Sequence, residues 1–118
     1  MILNGLDIAE ADGVHDDGWC WPIVKLRLIA TSVCSELRVG VWVKPEVGEK
    51  DRTVFTITSD GAPATVQVVP FDAPVEIGIP VTMTAGDVIN LRISTPHRAS
   101  KGADARDLSF ILSSLVVV

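Results

Sequence analysis

Three tryptophans and a few charged side chains are the residues of this chain with chemistry to offer. Trp19 and Trp21 are two positions apart, so on an extended segment both indoles fall on one side, with Cys20 opposite. Trp42 sits in Leu37-Arg38-Val39-Gly40-Val41-Trp42-Val43, out of phase with the aliphatic positions and on the face of Glu36, Arg38, Gly40 and Lys44. Sugar rings present C–H faces that stack on flat aromatic surfaces, while carboxylates and donor side chains take the hydroxyls. Carbohydrate is the ligand class such a set would suit. Trp21 and Trp42 are the candidate stacking surfaces, with Asp17, Arg38, His97 and Arg106 as hydrogen-bonding candidates. Trp19 has a second reading, since an Asp-Gly turn feeding a large ring also suits a plug at one end of the core. Arg106 has one too, an ion pair with a loop carboxylate such as Asp17.

Signals for catalysis are missing. The chain has no GxSxG, no P-loop, no HExxH and no tyrosine. His15 lies beside Asp16 and Asp17, and His97 beside Arg98, but nothing nominates a nucleophile, and both histidines are expected to be solvated loop residues. The acidic segment from Glu10 to Gly18 offers oxygen ligands of the kind calcium takes, without the EF-hand order of acids. Its simpler reading is a turn whose aspartates bond neighbouring amides. Cys20 and Cys34 are 34 − 20 = 14 positions apart with no CxxC, and two buried thiols are expected rather than a disulfide or a metal site. No enzyme activity, metal or cofactor is expected.

The elements that must position these residues read as strands. Val24, Leu26, Leu28 and Ala30 alternate with Lys25 and Arg27; Leu37, Val39, Val41 and Val43 form a second such set. Thr53 to Thr58 is β-branched almost throughout, and Val75 to Ile79 alternates again. Ile89, Leu91 and Ile93 point one way, as do Leu108, Phe110, Leu112 and Ser114. Gly or Pro with polar neighbours separates the runs at 45–50, 59–63, 70–74 and 84–87. The spacing predicts one all-β domain over residues 1–118, an antiparallel β-sandwich of the jelly-roll kind with about eight strands. Residues 99–106 offer the sole helical turn, and it is short.

Composition narrows the partners. Of 118 residues, Lys+Arg 10 minus Asp+Glu 15 leaves a net charge of −5, so the basic footprint of a nucleic-acid binder is missing. No apolar run reaches the roughly 18 residues of a membrane helix, and the first ten residues lack a secretory pattern. A cytoplasmic chain with no membrane or nucleic-acid partner is expected. The apolar end Leu115-Val116-Val117-Val118 motivates a homo-oligomer through an exposed edge strand.

Three segments together resemble a known kind of module. Gly13-Val14-His15-Asp16-Asp17-Gly18-Trp19 is similar to an opening "G-hydrophobic-x-x-D-G-W" motif, and Gly86-Asp87-Val88-Ile89-Asn90-Leu91 to a middle "GD-V-hydrophobic-x-L" strand. Ala103-Asp104-Ala105-Arg106-Asp107-Leu108-Ser109-Phe110-Ile111-Leu112-Ser113-Ser114-Leu115 is similar to a closing "D-x-R-x-L-x-F-x-L-x-x-L" strand. In this the chain resembles the β-sandwich modules attached to bacterial glycosyltransferases, from about residue 4 to residue 117. It departs from them in having Trp-Cys-Trp where one aromatic is usual. The resemblance implies a non-catalytic, carbohydrate-binding-like accessory module associated with a glycosyltransferase domain or polysaccharide biosynthesis. A glycan or glycoconjugate is then the expected partner. The rival expectation is a structural β-sandwich that oligomerises and takes no sugar.

Overall fold

Alternation becomes strand pairing in the computed structural model, which describes residues 1–44, 51–98 and 108–118. The described residues form nine strands and no helix: β1 (Ile2–Asn4), β2 (Leu6–Val14), β3 (Trp19–Ala30), β4 (Cys34–Trp42), β5 (Arg52–Ser59), β6 (Thr65–Pro70), β7 (Val75–Met83), β8 (Val88–Ser94) and β9 (Phe110–Val117). The helical turn expected at 99–106 lies outside the described residues. No helix among them is long and apolar enough to cross a membrane.

Hydrogen bonding runs in the order β6-β5-β8-β3-β9-β4-β7, with β2 on β3 and β1 on β9. Every pairing is antiparallel except β1 with β9. One arm is β2-β3-β8-β5-β6 and the other β1-β9-β4-β7. They join where Trp19 pairs with Ile111 and Cys20 with Phe110. The end strands β6 and β7 come together, so the nine-stranded sheet nearly closes into a barrel.

The inward set matches the period-two reading in most strands. Val24, Leu26, Leu28, Leu37, Val39, Val41, Ile57, Leu91 and Ile93 are all buried. Phe55 and Phe110 meet edge to face in the middle, centroids 4.9 Å apart at 83°. Each such ring contributes about 1.5–3 kcal/mol through its burial.

Three expectations are corrected. The acidic segment is not a loop as far as Val14: Glu10 and Asp12 belong to β2, whose register against β3 slips at Ile8/Glu10 and Asp12/Val14. The C-terminal strand is not an edge. It lies between β4 and β1, Leu115 is fully buried, and the Val118 carbonyl accepts from the Ser35 and Glu36 amides at 2.8 and 3.2 Å. Ser114 does not face inward, because the β4–β9 register jumps from Gly40–Ser114 to Val41–Leu112, which leaves Ser113 as an extra residue and turns Leu115 inward instead. Gly40 suits that bulge, since a side chain there would collide with the Ser114 hydroxyl.

Candidate functional site

The β2–β3 hairpin presents the first indoles. The His15 amide donates to the Trp19 carbonyl at 2.8 Å, and the Gly18 amide to the His15 carbonyl at 2.9 Å. Gly18 has φ +89°, the left-handed residue that closes a three-residue loop on the right-handed twist of its strands. Asp17 is exposed, and its Oδ1 accepts from the Trp19 amide at 3.2 Å, the aspartate-to-amide turn expected of this segment. Among the described residues no three His, Cys, Asp or Glu side chains gather as a metal site, so the calcium reading of this segment has no cluster behind it.

All three tryptophans keep surface. Trp19 and Trp42 are half-buried and are held in one cross-strand row, Trp19–Ile111–Trp42, by β3, β9 and β4. Trp21 follows Trp19 on the same side of β3 and is 46% exposed. Its Nε1 donates to Nε2 of His15 at 3.0 Å, with ring centroids 6.1 Å apart at 67°. One edge of the indole is thereby fixed, which orients its open face. His15 is half-buried by this contact rather than fully solvated.

Arg38 lies four residues before Trp42 on the outer side of β4, about 13 Å away at strand rise, with Gly40 between. Its Nε bonds Glu36 at 2.6 Å. That hydrogen bond first, then the Glu36 charge and the more distant Glu76, raise the guanidinium above its ordinary value. His97 is elsewhere. It is 6% exposed, its ring lies 4.7 Å from that of Phe71, its amide donates to Thr95 Oγ1 at 3.5 Å, and its carbonyl accepts from Ser109 Oγ at 2.5 Å. The solvated loop histidine expected at 97 is thus a buried one. Arg106 lies outside the described residues. The structure therefore brings Trp42, Trp19 and the Asp17 hairpin together, sets Trp21 next along β3, leaves Arg38 at a distance, and buries His97.

Cys20 and Cys34 are free and buried. The Cys20 thiol lies 3.4 Å from the Gly18 carbonyl, and burial, aided by the charge of Asp17 and opposed by a backbone hydrogen bond, pushes it up to about 12. Cys34 is pushed up as well, by burial first and by Asp87 second. Burial thus favours the protonated thiol at both positions.

A charged depression of about 720 Å³ occupies the outer face of the larger arm, lined by Glu10, Asp12, Lys25, Arg27, Asp60, Asn90 and Arg92 among others. Its side chains stand in two cross-strand rows. Asp12 faces Lys25, Lys25 faces Arg92 and Arg92 faces Thr58; Glu10 faces Arg27, which faces Asn90. Sequence reading placed Lys25 and Arg27 outward but missed the cluster, because only register reveals which charges meet.

Comparison with protein-family models, with curated proteins and with solved structures finds no match for this chain.

Proposed function

We propose that the chain is a non-catalytic, carbohydrate-binding-like accessory module that serves a glycosyltransferase or polysaccharide biosynthesis, its two arms stacked as the layers of a jelly-roll sandwich. One observation carries this reading: in a chain with so few aromatics, all three indoles keep outward surface, and the most exposed, Trp21, is oriented by His15. An apolar ring held at a set angle beside hydrogen-bonding groups suits the C–H face of a sugar. Glycan-array binding followed by tryptophan fluorescence titration tests it. A bacterial polysaccharide should shift the emission, and Trp21→Ala should weaken binding about two- to thirteenfold, the loss of one stacking contact of about 0.5–1.5 kcal/mol. Silence toward every polysaccharide at millimolar sugar refutes it.

A structural, self-associating domain is the second reading. End strand β6 favours it, with Val66 and Val68 exposed at 63% and 56%. Light scattering separates the two: a stable dimer that binds no glycan supports the structural role.

A further inference from the structure

We propose that Lys25 and Arg92 form an anion-recognising subsite for a saccharide that carries a carboxylate or phosphate group. The inference rests on the carbohydrate reading above and names the substrate class of its face. Lys25 and Arg92 are direct cross-strand partners on β3 and β8. Like charges in that position repel and destabilise a sheet, and an anionic group lying over both relieves the repulsion. Neither side chain makes a hydrogen bond or ion pair with any described residue. Their neighbour Arg27 is held by contrast: Nη1 meets Glu10 at 3.1 Å, Nε meets Asn90 Oδ1 at 3.2 Å, and Asn90 Nδ2 donates in turn to Asp60 at 2.8 Å. The depression of about 720 Å³ thus has one locked cation and two with their donors open.

The walls decide what kind of anion fits. Asp12 faces Lys25 on its other flank and Asp60 closes the far side. Ionised carboxylates accept only, so they repel a bare anion and welcome a hydroxyl. A ligand with one anionic group and several hydroxyls satisfies both halves, and the planar fork of Arg92 suits carboxylate or phosphate oxygens in pairs. The surface then continues toward the indole. Trp21, Ile23 and Lys25 alternate along the same side of β3, Ile23 being 46% exposed, and Trp21 to Lys25 is about 13 Å. An oligosaccharide stacked on Trp21 can lay its acidic residue on Lys25 and Arg92.

Amide chemical-shift titration of the full chain tests this with glucuronic acid, glucose 1-phosphate, glucose and inorganic phosphate. Glucuronic acid or glucose 1-phosphate should move the Lys25 and Arg92 amides and glucose should not, the responding member telling carboxylate from phosphate. The double variant Lys25→Gln, Arg92→Gln should lose at least tenfold in that affinity with a melting temperature no lower than the native chain's, since it also removes the cross-strand repulsion. Glucose binding as well as glucuronic acid, inorganic phosphate binding as well as glucose 1-phosphate, or no shift at these amides with any probe overturns the proposal. Polysaccharide binding that depends on Trp21 but is indifferent to the double variant sinks the subsite and leaves the module standing. An acidic oligosaccharide that moves Lys25 and Arg92 and binds Trp21→Ala as well as the native chain supports the subsite and removes the stacking role.

Discussion

Gly13→Ala isolates the geometry by which β2 delivers the hairpin and its indoles. Gly13 sits at the slip between Asp12 and Val14 with φ +89°. An alanine β-carbon there would stand 2.5 Å from the Ile23 carbonyl oxygen and 3.3 Å from the Val24 α-carbon. The left-handed backbone alone costs an L side chain about 1–2 kcal/mol. The colliding oxygen belongs to the β3 main chain, which cannot swing aside as a side chain can, so the two strands must part. Overpacking of that kind costs about 1–3 kcal/mol more. The sum, about 2–5 kcal/mol, is a large part of the roughly 5–15 kcal/mol that holds a domain folded. Gly61→Ala supplies the control. Gly61 has φ +69° and nothing within 4 Å of the added atom, so it carries the backbone cost without the collision. Urea unfolding followed by far-ultraviolet circular dichroism should place Gly13→Ala about 1–3 kcal/mol below Gly61→Ala, by midpoint at unchanged slope. In a chain of this size that is roughly 4 °C of melting temperature per kcal/mol. If the two variants agree within about 0.5 kcal/mol, the close approach of β2 to β3 at Gly13 is wrong.

Two further outcomes follow from the interior. With Cys20 pushed up from 9.0 to about 12, the unfolded chain gives up this proton first. The native stability is intact below pH 9 and declines from there toward pH 12 by up to about 1.4 kcal/mol per pH unit. Urea midpoints at pH 8.5 and 10 should therefore drop about 1 kcal/mol further in the native chain than in Cys20→Ala, and equal drops would show that Cys20 titrates normally. Phe110→Ala should cost about 3–5 kcal/mol, because a fully buried ring and its edge-to-face contact with Phe55 go together. A double-mutant cycle with Phe55→Leu should return about 0.5–1.5 kcal/mol of coupling, and additivity would mean the rings do not touch as described.

The strands legible in the sequence are those with one wet and one dry face. β3, β4 and β8 are such strands, and their alternation gives away the inward set; it gives the extent of β8 as well, whereas β3 already begins at Trp19 and β4 at Cys34, ahead of their alternating runs. β2 escapes because most of its middle is exposed, so Glu10-Ala11-Asp12-Gly13 carries no period and reads as a polar loop. β6 escapes for a related reason: Val66, Gln67 and Val68 are all exposed, and Val69 alone reaches the core. The near closure of the sheet was beyond reach, since strand partners are set by contacts far apart in the chain rather than by any local pattern. His97 shows the same limit. Pro96 and Arg98 describe a solvated turn, whereas the residues that bury it, Phe71 and Ser109, come from other parts of the chain.

The indole row makes the distinction sharper, because a recognition surface on a sheet is a cross-strand object. Alternation tells which face a residue occupies; register decides which residue stands beside it. β9 has to bury Phe110 and Leu112 and also Leu115, an interval of three that a flat strand of period two cannot satisfy. The extra residue Ser113 reconciles them, against Gly40 on the facing strand where no side chain obstructs. Without that bulge, keeping Gly40 opposite Ser114 would pair Trp42 with Leu112, send Leu112 and Phe110 outward, and remove Ile111 from between the two indoles. The spacing Leu112 to Leu115 across two serines, facing Gly40, therefore does more than satisfy the core. It is the feature that sets Trp19 and Trp42 on either side of Ile111 in one outward row, and it is written in the sequence as a break in phase.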